Sequence, residues 1–160
     1  MKQGNLLFAL MYQDNDILEK TINELKNRFG KIKTKSQEYD FDFTDYYEEE
    51  FGISLKKTIT IFNKKINKKD LVDIKVLSNN IEKRYSENNK RKINIDPGFV
   101  NKTGVFLASF KKKDFKENLG SGVYCHKVLE FNGNEIKTFF QTFPDFKSKL
   151  VNDFFLNFIE

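Results

Sequence analysis

Two stretches of helical apolar spacing, each set between stretches of strand character, most constrain what this chain can fold into. Ile17, Leu18, Ile22, Leu25 and Phe29 recur at helical spacing, with Asp14 or Asp16 placed to cap the helix and Gly30 to end it. Asp70 to Tyr85 repeats the pattern through Leu71, Ile74, Ser78, Ile81 and Tyr85. Ahead of the first helix runs Leu6-Leu7-Phe8-Ala9-Leu10-Met11, short and apolar throughout, which reads as a buried strand. Residues 32–43 alternate, with Tyr39, Phe41 and Phe43 on one side and Asp40 and Asp42 on the other, as a half-buried strand does. A short helical segment, Asp45 to Phe51, stops at Gly52. Lys57 to Phe62 is rich in β-branched residues, and Lys92 to Asp96 alternates into Pro97-Gly98, which fits the centre of a type II turn.

The order strand, helix, strand, strand, helix, strand matches a ferredoxin-like βαββαβ core within an α+β fold. Parallel neighbours joined by right-handed crossovers would bury both helices on one face of the sheet. Strands at Gly104–Phe110, Gly122–Phe131 and Glu135–Thr142 add a C-terminal three-stranded antiparallel extension, with Asn132-Gly133 as a hairpin turn. Leu150 to Ile159 reads as a terminal helix with an apolar face of Leu150, Phe154, Phe155 and Phe158. There is no internal repeat and no low-complexity linker, so residues 1–160 are expected to form a single α+β domain.

Composition narrows the chemistry. With 39% apolar residues and 18 Phe, the 160 residues can build a real core. One Cys and one His exclude an internal disulfide framework, a Cys-based zinc site and a multi-histidine metal centre. The net charge of +5 invites a nucleic-acid reading. Only three of the 28 basic residues are arginine (Arg28, Arg84, Arg91), however, and scattered lysines more often make a solvated surface. No apolar run approaches the roughly 20 residues of a membrane-spanning helix, and Leu6–Met11 lacks the features of a signal segment. A cytoplasmic address follows from these features and the lone Cys.

Three groupings carry polar chemistry. From Glu38 to Glu50 seven acids and five aromatics share thirteen positions; Thr44 or Asp45 can cap the short helix, with Glu48 completing a capping box. Such carboxylates could hold a hard cation or pass protons, or simply form a solvated capping loop. On the strand before Pro97, Ile93 and Ile95 face one way while Asn94 and Asp96 face the other. On the second long helix Lys75, Asn79 and Glu82 share a face beside the apolar stripe. A phosphate-loop pattern is absent, and Gly120-Ser121-Gly122 lacks the setting of a dinucleotide fingerprint. Cys125 and His126 are adjacent in a strand, so they point to opposite faces and make no local catalytic pair.

Several of these segments together resemble a prokaryotic family known as domain of unknown function 4416. The resemblance rests on Phe43-Thr44-Asp45-Tyr46-Tyr47-Glu48-Glu49-Glu50-Phe51-Gly52, on Ile74-Lys75 with Asn79 and Glu82, on Arg91, Asn94, Asp96, Pro97 and Gly98, and on Thr142-Phe143-Pro144-Asp145-Phe146. It spans residues 5–146, leaving 147–160 as the terminal helix. The family tends to show His-Arg where this chain has Phe115-Lys116, and an acidic residue where it has His126. It brings no activity with it, but it implies that the recurring polar residues serve a shared pocket.

The expectation is therefore a polar cleft lined by Thr44, Tyr47, Glu50, Lys75, Asn79, Arg91, Asn94 and Asp96, binding a small polar or phosphorylated ligand. Lys75 and Arg91 would meet an anion, while Asp96 and Glu50 would take protons or a hard cation if the cleft is enzymatic. The sequence identifies no cofactor, assigns no metal ligand and leaves the oligomeric state open. A non-enzymatic alternative is RNA binding on exposed aromatics rimmed by Lys111, Lys112, Lys113 and Lys116, or protein assembly through the terminal helix.

Overall fold

The computed structural model describes residues 3–159; Glu160, the last residue of the expected terminal helix, lies outside them. Strand β1 (Gln3–Tyr12) is buried along nine of its ten residues, which requires cover on both faces of the sheet. Its even residues Leu6, Phe8, Leu10 and Tyr12 pack with Leu18, Ile22 and Leu25 of helix α1 (Asn15–Phe29). Leu71, Ile74 and Ile81 of helix α3 (Asp70–Arg84) join the same cluster. The odd residues Leu7 and Ala9 pack on the other side with Val151 and Phe155 of helix α4 (Lys149–Ile159). The remaining elements are β2 (Ile32–Lys35), β3 (Tyr39–Asp40), the short helix α2 (Glu48–Phe51), β4 (Lys56–Asn67), β5 (Ile93–Asn101), β6 (Gly104–Ser109), β7 (Glu117–Gly120), β8 (Val123–Asn132), β9 (Glu135–Lys137) and a 3-10 turn at Pro144–Lys147.

The described residues form an α+β fold with one nine-stranded sheet, ordered β2-β4-β1-β5-β6-β8-β7, with β3 beside β4 and β9 beside β8. Every pairing is antiparallel. The expected parallel neighbours are thus absent. Each helical crossover does join strands of like direction, but another strand lies between them: β4 separates β1 from β2, and β1 separates β4 from β5. Both crossover helices nonetheless cover one face. Asp14 caps α1 by accepting the Asp16 N–H at 2.8 Å, and Gly30, at φ 94°, ends it.

Several local expectations are corrected. Residues 32–43 do not form one strand: the Ser36 N–H still donates to the Ile59 carbonyl at 2.8 Å, but the return bond passes to the side chain, its Oγ accepting the Ile59 N–H at 2.9 Å. The chain pairs again only at β3, and Phe43 beyond it is exposed. The capping box on α2 does not form: Tyr47 stands at the N-cap without a side-chain bond, Thr44 Oγ1 accepts the Tyr46 N–H, and Asp45 offers only its carbonyl to Glu48. The hairpin at Asn132-Gly133 does form, although β9 ends at Lys137 rather than Thr142. Strand β7 has no apolar alternation to announce it, and it makes the extension four-stranded.

Pro97-Gly98 is not a turn but the middle of β5, opposite Phe8 and Leu7. The Ile95 N–H and carbonyl both face away from β1, toward Glu82 and Lys75. By strand alternation the missing N–H of Pro97 faces that side too, so no bond to β1 is lost. Gly98 is demanded by closeness, since a Cβ there would stand 1.9 Å from the Phe106 carbonyl oxygen.

Candidate functional site

The upper half of β5 pairs with β1 alone, because pairing with β6 begins only at Gly98–Leu107. An open strand edge leaves backbone groups needing partners. Helix α3 supplies them: Glu82 accepts the Ile95 N–H at 2.7 Å, and Lys75 Nζ reaches the Ile95 carbonyl at 3.4 Å. Both side chains are buried. Burial pushes the Glu82 carboxyl above its ordinary range, although the Ile95 N–H and the nearby Lys75 and Arg91 oppose the shift.

From these two residues a chain of polar contacts passes round the strand. Arg91 Nη1 lies 3.6 Å from Glu82 and donates to Asn94 Oδ1 at 2.8 Å. Its Nε and Nη2 grip the Glu50 carboxylate at 2.6 and 3.0 Å, and its guanidinium lies over the Phe51 ring. Asn94 Nδ2 donates to Asp96 Oδ2 at 3.0 Å, and Asp96 Oδ1 stands 3.8 Å from Lys75 Nζ, which closes the ring. The Arg91 hydrogen bonds hold the Glu50 carboxyl below its usual range. Of the eight residues expected to line a cleft, six are therefore joined in one network or border it: Glu50, Lys75, Arg91, Asn94 and Asp96 by contact, and Tyr47 through the negative charge of Asp96.

Asp96 and Asn94 point onto the face opposite α3, into a cleft of about 370 Å³. Met11 of β1 and Lys57 of β4 share its floor, and Thr44, Tyr46 and Tyr47 from the segment before α2 form one wall. Phe143, Pro144 and Asp145 form another, and exposed Lys111 stands at the mouth with its ammonium 5.3 Å from the Tyr46 ring centre. Burial, reinforced by the Asp96 charge, pushes the Tyr47 hydroxyl up to about 12, so it stays a proton donor at neutral pH. Thr44, Tyr47, Asn94 and Asp96 line this cleft. Glu50, Lys75 and Arg91 stand behind it, engaged with internal partners, and Asn79 lies on α3 one turn from Lys75 without a hydrogen bond to the network among the described residues.

Sequence reasoning missed the other half of the floor. Lys57 Nζ lies 2.8 Å from Asp145 Oδ2, which also accepts the Tyr39 hydroxyl at 2.7 Å. The two side chains are 7% and 1% exposed. A signal for Lys57 was present: it shares strand parity with Ile59 and Ile61, and a lysine on a core-facing position needs a buried anion. The acidic stretch, by contrast, does not converge. Glu38 bonds Tyr12, Asp40 pairs with Lys56 and Glu50 holds Arg91. Among the described residues no group of three or more His, Cys, Asp or Glu is placed to hold a metal ion, and no helix is long and apolar enough to cross a membrane.

Fold and site together define an α+β protein with an aromatic-walled polar cleft at the open end of a central strand. The chain belongs to the family described as Domain of unknown function (DUF4416), whose model matches residues 2–160. No match was found among curated proteins or among solved structures.

Proposed function

We propose that the cleft over Asp96 binds a small polar ligand, with Asp96 as its principal contact. The observation that carries this reading is the way Asp96 is presented. Glu50 orients Arg91, Arg91 orients Asn94, and Asn94 fixes one carboxylate oxygen of Asp96, a supporting shell of the kind that binding sites use to hold a contact group. A concave site with aromatic and other apolar side chains in its lining and a few converging polar groups is what small-molecule sites share, and about 370 Å³ lies within their range. If the site is catalytic, Asp96 is the group placed to exchange a proton with the ligand. Glu50 would act through Arg91, as a positioning residue.

The strand order β2-β4-β1-β5, with α1 and α3 on one face, supports reading the first part of the chain as a ferredoxin-like core. The absence of paired cysteines agrees with a cytoplasmic setting. A second reading, single-stranded RNA binding, is favoured by one patch: exposed Phe110, Phe115 and Tyr46 beside Lys111, Lys112, Lys113 and Lys116. Burial and the neighbouring Lys111 and Lys113 lower the Lys116 pKa, as a crowded cationic rim does.

A fragment library titrated into isotope-labelled protein tests the reading. Amide shifts clustering at residues 44–47, 94–96 and 143–145, and lost in a folded Asp96→Asn variant, support it. Shifts elsewhere, or shifts that persist in Asp96→Asn, refute it.

A further inference from the structure

The cleft has a polarity that names its ligand class. Its lining carries two carboxylates with unequal oxygens, Asp145 buried and Asp96 partly exposed. Asp96 Oδ2 is held by Asn94, while Oδ1 has only Lys75 at 3.8 Å. Asp145 Oδ2 is held by Tyr39 and Lys57, while Oδ1, buried in a residue 1% exposed, has no hydrogen-bond partner among the described residues. A buried carboxylate oxygen without a partner is costly, and a donor from a bound molecule would satisfy it. That donor is better neutral than cationic, because Lys57 already balances Asp145 and its ammonium lies 5.0 Å from the Phe41 ring centre. Rings share the lining with the two carboxylates: Tyr47 and Phe143 are half-buried, and Tyr46 is 69% exposed. The open end is cationic, with Lys111 in the lining, Lys112 and Lys113 next to it, and Lys116 tied back to the Lys111 carbonyl. No acidic side chain pairs with Lys111 among the contacts of the described residues.

Donor-seeking carboxylates, aromatic rings beside them and lysines at the mouth suit a molecule with an amino-substituted ring at one end and an anion at the other. We propose that the cleft binds a free nucleoside monophosphate with an exocyclic amino group on its base, the amine facing Asp145 and Asp96 and the phosphate facing Lys111. This rests on the reading of the cleft as a ligand site and narrows it.

The test is calorimetric titration of the full chain with AMP, CMP and GMP, using purine riboside monophosphate as the control without an amine and adenosine as the control without a phosphate. At least one amino-bearing nucleotide should bind, and for AMP loss of the amine should weaken binding about tenfold or more, the scale expected when a buried carboxylate loses its donor. Loss of the phosphate, or Lys111→Ala, should weaken it and flatten its salt dependence. Asp145→Asn should erase the preference for the amine; if that variant does not fold, the ligand pairs on the unaltered protein carry the same comparison. Equal affinity for AMP and its amine-free analogue overturns the proposal, as does no nucleotide binding below about 1 mM. A short single-stranded RNA binding tenfold tighter than any mononucleotide also overturns it, in favour of strand binding. Should nucleotides fail while fragments still shift residues 44–47, 94–96 and 143–145, the nucleotide assignment alone falls. Silence of those residues to every fragment removes the ligand site with it.

Discussion

Lys57→Met offers the sharpest check on the floor of the cleft. The substitution keeps an unbranched chain of similar length and deletes the ammonium that faces Asp145 at 2.8 Å and lies over the Phe41 and Phe146 rings. Asp145 is 1% exposed, so its carboxylate would be left with the Tyr39 hydroxyl as its one remaining partner on Oδ2. Removing one member of a buried pair costs about 3–5 kcal/mol, because the other charge stays buried without compensation. For a chain of this size each kcal/mol moves the Tm by about 2–4 °C, so the melting point should fall by roughly 6–20 °C. The double variant Lys57→Met/Asp145→Asn removes both charges and still offers Tyr39 an acceptor. It should recover most of the loss, giving a coupling energy of about 2 kcal/mol or more in a double-mutant cycle. Thermal and urea unfolding of the four proteins supplies the numbers. A Lys57→Met protein within about 1 kcal/mol of the parent, or a double variant as unstable as the sum of the singles, would show that water compensates the charges and that the pair is not coupled as its burial and 2.8 Å separation imply.

Glu82→Gln keeps an acceptor for the Ile95 N–H while removing a carboxyl whose pKa burial raises. The native state holds that proton where the unfolded chain has lost it, so this group's contribution falls as pH rises above the ordinary carboxylate range. The parent should lose stability relative to Glu82→Gln across that window, and parallel stability curves from urea melts would contradict this. His126 titrates the other way. Among the described residues both ring nitrogens are buried without hydrogen-bond partners, and burial, with Lys116 nearby, lowers its pKa to about 4. The unfolded chain takes up the proton first, so the parent should lose stability as pH falls from about 6.5 toward 4, whereas His126→Phe, fitting between Phe115 and Phe143, should not; coincident slopes would sink the idea. Gly98→Ala should unfold the chain or cost about 3 kcal/mol or more, since the clash is with backbone rather than a movable side chain. A melting point unchanged in that variant would mean that β5 and β6 can separate freely.

What the sequence displayed was periodicity. The apolar spacing in α1 and α3 and the alternation of Ile93 and Ile95 against Asn94 and Asp96 placed two helices, the central strands and the face of the site. Features that depend on distant partners were hidden. Residues 32–43 alternate well enough for one strand, but nothing local announces that Ser36 will bond Ile59 and break it. Asp145 looked like part of a closing motif, and its role comes from Lys57 and Tyr39, which lie 88 and 106 positions away in the chain. The polar residues on α3 were visible as a face, yet helical spacing alone could not show that Lys75 and Glu82 turn toward β5 while Asn79 does not.

Pro97-Gly98 was misread because the local grammar of a turn and the grammar of a strand that loses one neighbour use the same two letters. Proline cannot donate on the side facing β6, and Gly98 admits β6 only from its own position onward. The two strands therefore part at this point: β6 continues beside β8 to Ser109, while Asn94 to Asp96 are left with an open edge. One side of that edge is closed by Lys75 and Glu82 from α3. On the other face, the cleft lies over Asn94 and Asp96, and Lys111, two residues beyond the end of β6, stands at its mouth. The dipeptide that resembled the end of a strand thus marks where β5 passes from two strand neighbours to one, directly beside the two residues, Asn94 and Asp96, that line the cleft.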